Sequence, residues 1–499
     1  MKDGLNMNLT IGEIAKACGG ELVLQGVEKY AGDFDCAVEM VGVPGENTQV
    51  DSVVLDSRIV TRGGVFVATV GERVDGHRFI PEVFAKGVSL VVTQKRPEQV
   101  ESECGVLAEG WGSYLLVEDS FQALKAIAEC YREKLTIPVV GITGSVGKTS
   151  TKEFIAGVLA EQYNVLKTEG NFNNEVGVPL TLLRIREETE VAVVEMGISD
   201  FGEMHRLSKM AKPTIAVITN IGQCHLENLK SREGILKAKT EIFDYMDESG
   251  QVCLNGDDDI LRTVVSVNGK DTHFFGLDAN AGQEVCACDF VSKGLWGSEA
   301  TLHMPEGNLA VEIHLPGKHM VTNAAAAACV ARLLGLSGEQ IKSGLGRIAP
   351  VGGRNNLLRM DRYTVIDDCY NANPVSMEAA LDLLAMADTY RVAILGDMFE
   401  LGENSDALHA GVGAYAVESG ADCIFCVGEN SRHMYEAAVQ AAENSGLTKS
   451  ETKIFFMADR EMLLKELAEQ EEYLPQDCTI LVKASHGMHF EKVVEFLKH

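Results

Sequence analysis

The sequence predicts an α/β protein of three domains, and three observations carry that expectation. At 499 residues with 46% hydrophobic content, the chain is long enough for roughly three domains of about 150 residues each. Short apolar runs that read as strands alternate with helical stretches, the pattern of parallel sheets covered on both faces. Between them, Val139-Val140-Gly141-Ile142-Thr143-Gly144-Ser145-Val146-Gly147-Lys148-Thr149-Ser150 runs from a buried strand through a glycine-rich loop into a helix, the order of a phosphate loop. The expected architecture is a small α/β N-terminal domain over residues 1–114, a central phosphate-loop parallel α/β domain over 115–349, and a C-terminal Rossmann-like α/β domain over 350–499.

Residues 53–55, 65–67 and 88–92 read as short strands between glycine and charged turns. A helix over 121–131 leads into the phosphate-loop strand. After the loop, Phe154, Ile155, Val158 and Leu159 recur with helical period. Apolar strands at 191–194 and 215–218, with helices between them, argue for a parallel, doubly wound central sheet. Beyond Pro350 and the Gly352-Gly353 pair, strand runs at 364–366, 391–395, 423–427 and 479–482 alternate with longer helical stretches, so a hinge is expected near 346–353. No solenoid repeat or low-complexity tract interrupts this order.

The formal net charge of −29, from 73 acidic against 44 basic residues, repels a polyanion and argues against a nucleic-acid partner. The N-terminus lacks a signal pattern, and the apolar run at 324–330 is soon broken by Arg332, so neither secretion nor a membrane span is expected. Thirteen cysteines, mostly in apolar segments, suit free thiols in a reducing cytoplasm. Cys286 with Cys288, and Cys423 with Cys426, read as core packing; the second pair, three apart on a strand, face opposite sides.

The residue types of the glycine-rich loop point to a nucleoside triphosphate. Glycines let backbone N–H groups turn inward around an anion, Lys148 supplies a point charge for the terminal phosphates, and the Thr149 hydroxyl suits Mg²⁺. Ile142 stands where the longer motif has glycine, so the match is to the shorter form, Gly144, Ser145, Val146, Gly147, Lys148 and Thr149, running on into Ser150. Ligands of open parallel sheets sit beyond the carboxyl ends of strands. Glu195 ends one apolar run there, and Thr219-Asn220-Ile221-Gly222, with His225 shortly after, ends another. Lys239 lies in a helical stretch at 236–243, and spacing leaves open whether it points to solvent or to the cleft. Asn173 and Asn174 belong to Gly170-Asn171-Phe172-Asn173-Asn174-Glu175-Val176-Gly177-Val178-Pro179, composed either to line a polar cleft or to form plain Asx-turns. Arg354, directly after the hinge glycines, would swing onto a phosphate on closure. Asp367-Asp368-Cys369-Tyr370-Asn371 offers acceptors for a ribose and an amide for a base.

In this order, and with Ala238-Lys239, Asn323 and Gly396-Asp397-Met398-Phe399-Glu400-Leu401-Gly402, these motifs resemble the ATP-dependent Mur ligases of peptidoglycan synthesis over nearly the whole chain. The resemblance implies a cytoplasmic, monomeric ligase that uses ATP and two Mg²⁺ ions to join D-alanyl-D-alanine to UDP-N-acetylmuramoyl-tripeptide. It implies Lys148 on the ATP phosphates, Thr149 and Glu195 on Mg²⁺, His225 on a second Mg²⁺, and Lys239 as a carbamylated lysine. Asn323, Asp368 and Asn371 would serve adenosine and Arg354 the phosphates. Ser57 and Arg58, in Asp56-Ser57-Arg58, would contact the nucleotide-linked substrate, as would the cleft loop of Asn173 and Asn174. Two positions depart from the family pattern: Met320 stands where Asn is usual, and His486 where Arg is usual.

Three rivals remain at this level. A ligase adding the third peptide residue would carry an Asp-Asn-Pro-Arg motif, which is absent here. Folylpolyglutamate synthase shares the chemistry, but residues 56–79 argue for a UDP-linked substrate. A nucleotide-switched binding protein would hydrolyse ATP without needing an amine acceptor.

Overall fold

The computed structural model describes residues 7–24, 44–71, 74–104, 112–279, 282–349, 356–445 and 452–498. They form three main sheets with helices packed on them. The first has the order Glu21–Leu24, Ser113–Leu116, Leu90–Thr93, Val65–Val67 and Val53–Val54, parallel except for the pair at its Glu21–Leu24 edge. Helix Ser120–Glu133 carries the chain from this sheet to the central one, burying Leu124, Ile127 and Tyr131 in a core that runs continuously under both.

The central sheet has nine strands, in the order Gly307–Ile313, Ser298–Met304, Val285–Ser292, His273–Gly276, Gln251–Asn255, Ile215–Ile218, Val139–Thr143, Val191–Glu195 and Val165–Lys167. Its parallel part alternates with period two. Val139, Ala192, Val194, Ala216 and Ile218 enter one core, and Val140, Ile142, Val193, Ile215 and Val217 enter the other. The expected parallel, doubly wound sheet continues at one edge into an extension the sequence reading did not include, where Val285–Ser292, Ser298–Met304 and Gly307–Ile313 pair antiparallel. The turns joining these strands are too short for a crossover helix, so they can only fold back on one another. One face of that extension, with Ala300, Leu302, Val311 and Ile313, packs in the same core as Ala324–Ala331 of helix Lys318–Leu333.

The third sheet has the order Asn356–Arg359, Tyr363–Asp367, Cys478–Lys483, Arg391–Gly396, Cys423–Val427 and Lys453–Met457, parallel apart from its first strand. Cys423 and Cys426 enter the cores on its two faces, as their spacing requires. Cys286 is buried, but Cys288 is not fully so, which corrects the reading of that pair as core packing. A register irregularity between Cys286 and Asp289 breaks the alternation that would have buried both. Of the expected hinge, residues 346–349 are described, and 350–353 lie outside the described residues. Among the described residues no helix is long and apolar enough to cross a membrane.

Candidate active site

Strand Val139–Thr143 is flanked by Val191–Glu195 on one side and Ile215–Ile218 on the other, all parallel. The chain fills the first side and then crosses to the second, so the switch in strand order falls at the phosphate-loop strand, where open α/β sheets form their crevice. Gly144, at φ 153°, passes Thr219 so closely that a Cβ would stand 1.9 Å from its Oγ1. Gly147, at φ 82°, starts helix Lys148–Leu159 without a side-chain cap, which aims the helix N-terminus at the loop. Asn220 Oδ1 accepts from the Val146 N–H at 2.9 Å, while Thr219 Oγ1 donates to the Val146 carbonyl at 2.6 Å. Ser145 Oγ accepts from the Gly222 N–H at 2.9 Å. Lys148 Nζ folds over the loop, donating to the Gly144 carbonyl at 2.7 Å. Ser150 follows in the first turn of the helix.

Glu195 is buried at the end of its strand and is held on both oxygens. Thr149 Oγ1 donates to Oε2 and Asn173 Nδ2 to Oε1, each at 2.8 Å, and Lys152 Nζ stands 3.8 Å from Oε2. Lys152 is itself buried, donating to the Thr168 carbonyl at 2.7 Å. Asn174 takes the other course open to its loop: its Oδ1 accepts from the Val176 and Gly177 N–H groups, an Asx-turn that leads into helix Gly177–Leu182.

His225 sits in the left-handed region at φ 51°, and its Nδ1 lies 3.3 Å from Glu400 Oε2 of the C-terminal sheet's loops. Burial holds its imidazole below the usual range, assisted by the charges of Lys148 and Lys239 and opposed by Glu400. Lys239, buried with Ile235 and Ala238 in helix Arg232–Thr240, resolves the open question of its direction: it points inward. Burial, reinforced by Lys148, brings its amine down to about 7. Lys148, His225 and Lys239 therefore share one electrostatic neighbourhood.

On the C-terminal side, Asp368 is buried and meets Lys483 Nζ at 2.5 Å, and the same amine donates to the Asn371 carbonyl at 2.9 Å. The Asn371 side chain stays near the surface. Asp368 and Lys483 both act on His319 at the start of helix Lys318–Leu333, whose imidazole burial keeps below the usual range. Asn323, in the same helix, accepts from Thr151 Oγ1 at 2.8 Å and so ties it to the phosphate-loop helix. Met320 is buried in that core, and His486 lies beside Tyr370, with ring centroids 5.4 Å apart. Arg354 lies outside the described residues.

The N-terminal candidates stand on a separate sheet. The Ser57 carbonyl accepts from Lys86 Nζ, and Arg58 pairs with Asp56 at 2.6 Å, holding that carboxyl down to about 2. Several contributors carry no sequence signal of their own. Lys152, in helix Lys148–Leu159, and Lys483, at the end of strand Cys478–Lys483, read as ordinary surface cations until packing buries them. Asp397, held by the Ser431 N–H and hydroxyl, and His409, whose Nε2 accepts from the Met398 N–H, shape the loop that presents Glu400. His409 lies outside that loop and carries no signal of its own, whereas the loop itself is the run Gly396-Asp397-Met398-Phe399-Glu400-Leu401-Gly402 that the sequence already marks.

Three family models match the chain: the Mur ligase family, catalytic domain, at residues 49–131; the Mur ligase middle domain at 142–331; and the Mur ligase, glutamate ligase domain, at 353–486. The UDP-N-acetylmuramoyl-tripeptide–D-alanyl-D-alanine ligase of Bacillus subtilis is 35% identical over 460 residues, spanning 91% of this chain and 94% of its own. The enzyme of the same name from Escherichia coli is also 35% identical, over 459 residues, 91% of this chain and 95% of that one. Among solved structures, MurF from Acinetobacter baumannii superposes with a TM-score of 0.81 at 30% identity over 98% of both chains. MurF ligase from Thermotoga maritima in complex with ADP gives 0.75 at 29% identity, over 90% of this chain and 97% of that one.

Proposed function

The chain belongs to the Mur ligase family, and from that premise we propose that it joins D-alanyl-D-alanine to UDP-N-acetylmuramoyl-tripeptide at the expense of ATP. The observation that carries the reading is full-length likeness to ligases of that name in a chain whose Lys148, Thr149, Glu195, His225 and Lys239 gather around one phosphate loop. In the reaction, a carboxylate oxygen of the tripeptide attacks the γ-phosphorus as the bond to ADP breaks. The amine of the dipeptide then attacks the acyl carbon, phosphate leaves, and the nitrogen gives up a proton.

Lys148 and the loop N–H groups would bind the triphosphate, with Gly144, Ser145, Val146 and Gly147 as the cradle and Arg354 meeting the phosphates on closure. The Thr149 hydroxyl and Glu195 carboxylate are hard oxygen donors of the kind Mg²⁺ takes, and a neutral His225, with Nδ1 turned to Glu400, keeps Nε2 for a second ion. Bound Mg²⁺ would neutralise charge on the phosphate oxygens. Lys239 suits carbamylation because CO₂ adds only to a neutral amine, and an amine near 7 is substantially neutral at physiological pH. The amine gains an N–C bond and loses a proton, becoming an anion beside His225. Asn323, Asp368 and Asn371 are assigned to adenosine; Ser57, Arg58 and the loop of Asn173 and Asn174 are assigned to the UDP-linked substrate. The reaction is placed in the cytoplasm, which suits cysteines that are all free among the described residues.

The test is phosphate release from ATP with UDP-N-acetylmuramoyl-tripeptide present, comparing D-alanyl-D-alanine with diaminopimelate, lysine, glutamate and no acceptor. The expected result is turnover driven by the dipeptide alone, with the dipeptide in the product. Release indifferent to acceptor would leave a nucleotide switch, and preference for one amino acid would move the chain to a neighbouring ligase.

A further inference from the structure

The antiparallel edge of the central sheet brings together side chains that the ligase reaction does not use. Cys286 pairs in register with His303, and Asp289 with Thr301, so three steps along Val285–Ser292 match two along Ser298–Met304. That extra residue is a bulge, a device that re-aims side chains. Regular alternation would send Cys288 and Asp289 to opposite faces. Instead, a Cys288 sulfur, an Asp289 carboxylate oxygen and a His303 ring nitrogen lie within 4.8 Å of one another. His303 Nε2 is 2.9 Å from Asp289 Oδ2, and the buried Cys286 thiol is near enough to Cys288 for the two to influence each other's ionisation. This strand lies four places from the phosphate-loop strand in the sheet, roughly 19 Å at ordinary strand spacing.

We propose that Cys288, Asp289 and His303 form a metal site for a thiophilic divalent cation of the Zn²⁺ class, with Cys286 or a water completing four-coordination. The donor set decides the class. A thiolate, an imidazole and a carboxylate are the ligands of tetrahedral Zn²⁺, whereas Mg²⁺ takes oxygen donors such as Thr149 and Glu195. Bonds of about 2.0–2.3 Å put tetrahedral ligand atoms roughly 3.3–3.8 Å apart, so on binding the His303 and Asp289 atoms part slightly from 2.9 Å while the thiol, no more than 4.8 Å away, adjusts to meet the ion. Cys288 and Asp289 also line a cavity of ≈ 830 Å³, which gives the ion a way in. Binding releases the thiol proton and pins the bulged strand to its neighbour, a structural role separate from ligation.

The test titrates the reduced, chelator-treated full chain with Co²⁺ in excess Mg²⁺, following thiolate-to-cobalt charge-transfer absorption. One equivalent should develop the band, and Zn²⁺ should bleach it. Cys288→Ser should abolish the band where a water is the fourth ligand and about halve it where Cys286 is, and His303→Ala should weaken Co²⁺ binding at least about tenfold, while both keep the parent's ligation rate. Should Cys288→Ser fail to fold, Asp289→Asn, at an exposed side chain, should weaken binding in the same way. No band in the parent, or an undiminished band in the variants, overturns the site.

Discussion

Lys239 concentrates the chemistry of the site in one residue, because a fully buried amine brought down to about 7 trades stability for reactivity. The unfolded chain holds the proton that the folded chain gives up between about 7 and the ordinary lysine value, so stability rises with pH across that window. Lys239→Met removes this slope. In CO₂-free buffer at pH 7 it should unfold later than the parent, by on the order of a few kcal/mol, with no advantage near pH 10 and no ligase activity. Bicarbonate should raise the melting temperature of the parent but not of the variant. Lys239→Ala should regain part of its activity with short carboxylic acids that stand in for the carbamate; full activity without rescue would remove the residue from the mechanism. Glu195→Gln tests the neighbouring network, since it keeps shape while losing the charge that Thr149 and Asn173 orient. It should lower kcat by about 100-fold or more with its melting curve little changed, measured by steady-state phosphate release. Spacing alone left the direction of Lys239 open, since a lysine in a helix is ordinarily solvated; burial is decided by the strands and helices that meet around it.

At the scale of elements, the phosphate-loop helix Lys148–Leu159 is clamped between helices Lys318–Leu333 and Gly338–Gly346. The clamp is tight because the facing residues are small. A Cβ on Gly344 would stand 2.6 Å from the Val158 Cα, a backbone atom that cannot rotate away. Gly344→Ala should therefore cost about 1–3 kcal/mol, read from chemical denaturation, and should raise the KM for ATP as the loop helix shifts. An unchanged midpoint would show that the helices separate without cost. The strand, loop and helix around the phosphate site were legible because buried parallel strands are continuous apolar runs and the loop needs glycines at fixed places. The edge strands Val285–Ser292, Ser298–Met304 and Gly307–Ile313 were not. Their polar residues alternate with apolar ones on a half-exposed face, and their bulge depends on pairing rather than on any local signal. Asn174 shows the same limit in small: loop composition left a cleft lining and an Asx-turn both open, and only the path of the chain into the helix at Gly177 turned its side chain back onto the backbone.

For the whole molecule, function depends on how the C-terminal sheet meets the central one, and the contacts around His225 show what sets that arrangement. Helix Leu226–Leu229 touches the turn Gly402–Asn404, and Glu400 reaches His225 beside Lys148 and Lys239. Glu400 itself adopts φ 62°, held there by a loop anchored on His409, Ser485 and Asp397. Elsewhere Arg359 lies over the Trp296 ring at 4.3 Å, joining the edge extension of the central sheet to the first strand of the C-terminal sheet. Leu295 also packs into the C-terminal core from that extension, so the cleft side, where the contacts are polar, is where a balance of charge can act on closure. The Glu400 carboxylate meets His225, and the Lys148 cation acts on the same imidazole. Glu400→Lys turns that attraction into repulsion while leaving every group that binds phosphate in place. It should enlarge the radius of gyration measured by small-angle scattering in the presence of ATP and cut kcat/KM by about tenfold or more, since misplacing the closing half by an ångström weakens alignment steeply. Salt at several hundred millimolar should recover part of the loss, because screening weakens the new repulsion. Scattering and turnover equal to the parent's would mean that closure is set by the substrates alone and that the His225 to Glu400 contact is incidental.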